Sequence, residues 1–476
     1  MLAGALLATL AALLAGGCGS TTPRAHSRYP TVSVTVGQRA VSQPLASGFL
    51  GLSLEYTAVT PYTGTDPRAI DPVLIQLIRN LAPGQRPVLR IGGNSTDVTW
   101  FPARAEPPPF NARYALSERW LRSTAALASA LNARLIMGLN LDGRRARAAA
   151  NEARAFLERI GRSHIESFEI GNEPDEYRQP YTLTDYVEQF TRWRHALGRG
   201  APVTGPAYAT LNWSLARFID SQPGLRLVTV HRYPLRACLT NPTAPGYPTI
   251  ASLLSDQASA GFARTLAPYV AVAHRHRVAF RLDELNSASC SGKRGVSDTF
   301  ASALWMLDTL FNLARIGVDG VNVHTLPGAA YQPFALRHTR SGWQATVYPE
   351  YYAMLMFAQA CPPGARLLRV SSPHGPVSAW ATGGSTQAVR AVLINKDPRR
   401  TFQISLRVRG EAGPGQLERL TAPHLSSVHG VAFGAQTFGS VTRSGQLPAL
   451  RSERITPEDG VYSITLPAAS AALLTS

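Results

Sequence analysis

The chain has 476 residues, 45% of them hydrophobic and 16% charged, with a formal net charge of +17. That make-up excludes disorder for the bulk of the chain and suits one large domain with a smaller companion. The charge alone would point to a polyanionic partner, but Lys293 and Lys396 are the only lysines and the arginines are scattered along the chain, so a nucleic-acid partner is not expected.

Residues 1–18 read as an export signal: an Ala/Leu-rich apolar run closing on Leu14-Ala15-Gly16-Gly17-Cys18. Cleavage after small residues makes Cys18 a candidate lipidated N-terminus, hence a candidate membrane anchor, with simple cleavage as the alternative. Residues 19–30 are polar and tether-like. Residues 31–46 open with Thr31-Val32-Ser33-Val34-Thr35-Val36, whose alternation marks a half-buried strand, expected to join a later β-domain.

Over residues 47–345 short apolar strands alternate with longer helical segments. Eight are counted: Phe49 to Tyr56, Pro87 to Asn94, Arg134 to Leu141, Ile165 to Asn172, Pro202 to Tyr208, Arg226 to Tyr233, Val278 to Leu285 and Val318 to Thr325. Amphipathic helices fall between them, among them Ser117 to Asn132 and Thr184 to Leu197. This predicts an α/β fold, a (β/α)8 TIM barrel. Residues 346–476 begin with one short helix and continue as Gly- and Pro-punctuated strands, which predict a C-terminal antiparallel β-sandwich.

In such a barrel the chemistry sits at the C-terminal ends of the strands, so polar residues there carry information. The fourth strand ends in Gly171-Asn172-Glu173-Pro174 and the seventh in Leu282-Asp283-Glu284-Leu285. Two carboxyl groups approaching one mouth from opposite strands suit glycoside hydrolysis, one attacking the anomeric carbon and one protonating the leaving oxygen. The Asn172 amide is placed to donate to a sugar hydroxyl. Tyr233, in His231-Arg232-Tyr233-Pro234 at the end of strand six, is placed to hydrogen-bond the nucleophile, and Gly92-Gly93-Asn94-Ser95 lets Asn94 approach a ligand. Glu169 and Asp283 read as supporting groups. Cys238 and Cys290 follow neighbouring strands and form a candidate disulfide, leaving Cys361 as a buried thiol. No His/Cys or acidic spacing suggests a metal site, and the chemistry needs no cofactor.

Taken with Leu89-Arg90-Ile91-Gly92-Gly93-Asn94-Ser95, Glu169-Ile170-Gly171-Asn172-Glu173-Pro174, His231-Arg232-Tyr233-Pro234 and Val296-Ser297-Asp298-Thr299-Phe300-Ala301-Ser302-Ala303-Leu304-Trp305, the chain resembles glycoside hydrolase family 79, the heparanases and exo-β-glucuronidases. The resemblance implies a retaining mechanism, with Glu173 as proton donor and Glu284 as nucleophile. It also implies that Tyr331 meets a uronic acid carboxylate, with His231 and Gly292 among the substrate-binding residues. A family tyrosine expected shortly after the nucleophile is missing: Ser289 and Cys290 stand there. The expected function is therefore an exported retaining β-glycosidase acting on a carbohydrate, most like a β-glucuronidase. The alternatives are a β-glycosidase for a non-uronic sugar and an inactive carbohydrate-binding barrel lipoprotein.

Overall fold

The computed structural model describes residues 28–476 apart from 104–105, 372–374, 385–387 and 411–412. The signal, most of the tether and Cys18 lie outside the described residues. Eight parallel strands close into a barrel: Leu50–Glu55, Val88–Gly92, Arg134–Leu139, Ile165–Ile170, Val203–Tyr208, Leu227–Arg232, Ala279–Leu285 and Gly320–Thr325. The last pairs with the first in unbroken register, from Val321 against Leu50 to Thr325 against Leu54.

The strands alternate in a way that explains where polar chemistry can sit. Leu50, Leu52 and Leu54 join the apolar cluster that meets the surrounding helices, whereas Ser53 between them touches Arg90 of strand two. Leu89 and Ile91 are again apolar, while Arg90 between them reaches across the barrel. A barrel interior is usually filled with branched apolar side chains. Here much of it is an ordered polar network, and glycines make room for it: a Cβ on Gly320 would lie 1.9 Å from the Arg281 guanidinium.

The strand Thr31–Ala40 pairs antiparallel with Arg366–Ser371 and parallel with Phe402–Val408. Through it the β-domain forms one continuous ten-stranded sheet rather than two separate ones. The sheet curls, so that Val34, Val36, Ile404, Leu406 and Ile464 from one limb enclose a core with Ala381, Leu393, Leu417 and Leu474 from the other. The opposite face of the same strands, including Val392, Ile394 and Leu473, belongs to the barrel's own apolar cluster.

Two helices, Phe300–Arg315 and Pro349–Ala360, are pressed between barrel and β-domain, which is why both are apolar nearly all round. At this seam Trp380 stacks on Phe311 with ring centroids 5.5 Å apart. Asp308 takes hydrogen bonds from Trp380 Nε1 (3.0 Å) and the Lys396 ammonium (3.0 Å). Burying an ammonium requires such a partner.

Candidate active site

Strand four ends by leaving the extended conformation: Gly171 (φ 84°) and Glu173 (φ 51°) are both left-handed, a costly state for a glutamate. The surroundings hold it there. Glu173 donates its N–H to the Ala207 carbonyl at 3.0 Å. Two residues on, Asp175 accepts from the N–H groups of Ala209 (2.9 Å) and Thr210 (2.8 Å) in the loop after strand five. The result is a carboxyl standing at the mouth, with its side chain 24% exposed.

Glu284 comes from strand seven and is more enclosed. Its Oε2 accepts from Arg90 Nη1 at 2.6 Å and its Oε1 from the Tyr233 hydroxyl at 2.7 Å. A carboxylate oxygen of Glu173, a carboxylate oxygen of Glu284 and a ring nitrogen of His231 lie within 4.8 Å of one another. His231 Nδ1 is 3.1 Å from Glu173 Oε1, so the imidazole fixes the direction of that carboxyl.

Arg90 organises the floor of this mouth. Completely buried, it donates to Glu169 (2.7 Å), Glu284 (2.6 Å), Asn172 Oδ1 (2.9 Å) and Ser53 (3.2 Å). Burial works against its charge, but the carboxylates of Glu169, Asp283 and Glu284 outweigh burial and lift its pKa well above the ordinary value. Glu284 shows the reciprocal effect. Burial opposes its ionisation, yet His324, His231, Arg90 and the Tyr233 hydrogen bond together hold it well below the usual carboxylate range. Asp283 goes the other way, pushed up by burial and by the charge of Glu169. Tyr233 is pushed well up by burial and by Glu284, which keeps its hydroxyl a donor.

The remaining sequence candidates gather around this pair. The Asn172 side chain donates to Asn94 Oδ1 at 3.3 Å, and Asn94 is exposed at the rim. Tyr331 lies beside Tyr233 and His324, with ring centroids 6.3 and 5.9 Å away. Gly292 (φ 73°) passes so close that a Cβ would sit 2.9 Å from the Tyr331 ring. Cys238 and Cys290 form a disulfide that joins the loops after strands six and seven beside a two-residue ladder, Leu235–Arg236 on Ala288–Ser289. Cys361 is a buried thiol. Lys293 lies over the Tyr247 ring (3.9 Å) and donates to the Pro248 carbonyl.

Sequence reasoning gave no role to Arg90, Glu55, Asp97, His324 or Asn286. Glu55 ends strand one and accepts from the N–H groups of Asn94 (3.0 Å) and Ser95 (2.8 Å), which shapes the Gly-Gly-Asn-Ser turn. His324 ends strand eight, 3.7 Å from Glu284 and 3.8 Å from Glu55. Both carry the strand-end signal that identified Glu173 and Glu284. Asp97 accepts from the N–H groups of Leu141 and Asn172 at 2.9 and 3.2 Å, and burial pushes it up to about 6. Asn286 links the His324 carbonyl to Glu350 Oε1 of the seam helix, at 3.0 and 3.1 Å.

Two groupings have metal-ligand proximity, Glu173 with His231 and Glu284, and Glu169 with His231 and Asp283. The cation that balances these carboxylates is the Arg90 guanidinium, already bonded to one member of each. An ionised carboxylate beside a second carboxyl group that is more open to water is the equipment for displacement at an acetal carbon.

Residues 379–473 match the family model described as the glycosyl hydrolase family 79 C-terminal beta domain. A β-glucuronidase of Neurospora crassa is 24% identical over 441 residues, covering 78% of this chain and 76% of the relative. A β-glucuronidase of Aspergillus niger is 23% identical over 561 residues, covering 98% of both. The chain is thus similar to glycoside hydrolase family 79, through its C-terminal domain and through these two relatives. Among solved structures, a 4-O-α-L-rhamnosyl-β-D-glucuronidase of Fusarium oxysporum 12S, in complex with Rha-GlcA, superimposes with a TM-score of 0.73 at 19% identity, covering 94% of this chain and all of that one. A family 51 arabinofuranosidase of Xanthomonas axonopodis pv. citri follows at 0.71 and 13%, covering 94% and 99%. The protein is thus a glycoside hydrolase on a TIM-barrel scaffold.

Proposed function

We propose that the protein is an exported retaining β-glucuronidase in which Glu284 is the nucleophile and Glu173 the general acid and base. The observation that carries the retaining mechanism is the approach of the two carboxylate oxygens within 4.8 Å. Retaining enzymes place their carboxyl groups about 5 to 5.5 Å apart, whereas inverting ones need roughly 6.5 to 9.5 Å to admit a water.

Glu284, ionised by its cationic neighbours, attacks the anomeric carbon while Glu173 gives its proton to the leaving oxygen. This forms a glycosyl ester on Glu284. Glu173, now a carboxylate, takes a proton from water as that water attacks the same carbon, releasing Glu284 and a sugar of unchanged anomeric configuration. His231 holds Glu173 in line, and the Asn172 amide meets the hydroxyl next to the reacting carbon. Tyr233 and Arg90 hold the Glu284 carboxylate in place for attack.

The glucuronide specificity rests on the two fungal β-glucuronidases and on the wall formed by Tyr331 and the chain at Gly292, where a sugar carboxylate would meet the Tyr331 hydroxyl. One observation favours a second reading, a non-uronic sugar: the expected tyrosine after the nucleophile is replaced by a cysteine committed to a disulfide. Export is supported by that disulfide, since such bonds persist in oxidising compartments, and by the apolar N-terminal run.

Hydrolysis of aryl β-glucuronide, glucoside, galactoside and xyloside by wild type and Glu284→Gln tests the proposal. Release from the glucuronide alone, abolished in the variant, is the expected result. Release only from a neutral glycoside would keep the chemistry and replace the substrate.

A further inference from the structure

After Ser289 the chain leading from the nucleophile strand enters an unusual stretch of backbone. Cys290 (φ 60°), Ser291 (φ 66°) and Gly292 (φ 73°) are left-handed in succession, and the first two carry a Cβ. Such residues persist only where their surroundings hold them. Cys290 is held by its disulfide to Cys238 in the loop after strand six. The bond lies just beyond the Leu235–Arg236 ladder, where Ala237 donates its N–H to the Ser289 carbonyl at 3.1 Å. The Ser291 carbonyl accepts from the Ala330 N–H at 2.8 Å, in the loop after strand eight. Lys293 donates its N–H to Ser297 Oγ at 3.0 Å, and its ammonium reaches back to the strand-six loop at the Pro248 carbonyl (3.1 Å).

What this stretch positions is the wall that faces the sugar. Gly292 lies against the Tyr331 ring, so closely that a Cβ there would meet both the ring and Ser297. Tyr331 directly follows Ala330, the residue bonded to Ser291, and its ring neighbours Tyr233, whose hydroxyl donates to Glu284. The disulfide is thus two residues from a contact on Tyr331. Its own location differs from that of the wall. Cys238 and Cys290 are both exposed, so a reductant in solution reaches the bond, whereas Tyr331 is buried.

We propose that the Cys238–Cys290 disulfide is a positioning clamp for the sugar-facing wall, so that affinity for the acidic sugar depends on the bond being closed. A dithiol opens the clamp by exchange: its two thiols close into a disulfide and give up two electrons and two protons, and the S–S bond of the protein becomes two cysteine thiols. Cys290 and Ser291 then relax out of the left-handed region, and Gly292 no longer holds the Tyr331 hydroxyl toward the sugar carboxylate. Glu173 and Glu284, set by strands four and seven and by Arg90, keep their places. The enzyme therefore reaches full affinity only in an oxidising compartment. This inference rests on the proposed glucuronidase reaction.

The test measures kcat and KM for an aryl β-glucuronide on the folded enzyme before reduction, after dithiothreitol has freed both thiols, and after reoxidation, beside a variant carrying Cys238→Ser and Cys290→Ser. Reduction and the double substitution are each expected to raise KM about tenfold, the worth of one hydrogen bond to a charged group. Reoxidation restores KM, and kcat stays within about twofold throughout; a bond that only braced the fold would lower kcat through a smaller active fraction and leave KM alone. In Tyr331→Phe, reduction is expected to add less than about twofold to KM, because the clamp acts through the hydroxyl already removed. KM unchanged in both the reduced enzyme and the double variant, or raised by reduction as much in Tyr331→Phe as in wild type, would overturn the clamp while leaving the glucuronidase reading intact. Failure of wild type to release glucuronic acid from any glucuronide would instead remove the reading on which the clamp depends.

Discussion

Two buried arginines occupy the interior of this barrel, one toward each end, and they have opposite characters. Arg281, at the N-terminal end, is bonded to neutral groups: the Asn322 side chain and the carbonyl of Gly48 at 2.9 Å. Burial pulls its pKa down to about 10. Arg90, toward the mouth, faces three carboxyl groups, which raise its pKa in spite of its complete burial. Both are buried arginines. What differs is the charge of the partners, which makes one guanidinium a plug that ties strands together and the other the counter-ion of the Glu284 carboxylate.

The contrast can be tested by removing each charge. Arg90→Met has the largest expected effect, because it leaves the carboxylates of Glu169 and Glu284 buried without their cation. It should cost about 3 to 5 kcal/mol in denaturant unfolding and reduce kcat/KM by at least about 10³-fold. Activity within tenfold of wild type would contradict the role assigned to Arg90. Tyr233→Phe should act more mildly, lowering kcat/KM roughly 10- to 100-fold. It should also move the acid limb of the pH profile upward: the lost hydrogen bond favoured the ionised form of Glu284, so the variant's carboxyl titrates at higher pH. A limb that stays in place would show that Tyr233 does not tune the nucleophile. Arg281→Met has the smallest expected effect on chemistry, with kcat/KM changed by less than about threefold and stability lowered by about 1 to 3 kcal/mol through acceptors left unpaired. Kinetics falling with Arg281→Met as far as with Arg90→Met would erase the distinction between the two ends.

Much of the scaffold was legible because barrel strands are covered on their outer face by helices and so read as short apolar runs between amphipathic segments. The nearness of Glu173 and Glu284 could be anticipated for a related reason: each closes such a run, and strand ends converge at one mouth. Arg90 was harder to place. It interrupts an apolar strand, which marks it as unusual, but its partners lie 79 and 194 residues further along the chain, and nothing local in the sequence brings them together. Glu55 and His324 carried the same strand-end signal as the two glutamates and could have been found by applying that rule to strands one and eight. The continuous sheet of the β-domain was not legible either. It depends on the parallel pairing of Val32 with Ile404 and Val34 with Leu406, a long-range register that alternation alone does not specify.

The central claim is that Glu284 and Glu173 work by double displacement, and the stereochemistry of the first-formed product tests it most directly. Proton NMR of an aryl β-glucuronide during the first minutes of hydrolysis, before mutarotation, should show β-glucuronic acid appearing first and the α-anomer only later. Initial appearance of the α-anomer would mean inversion and would contradict the assignment of Glu284 as a nucleophile.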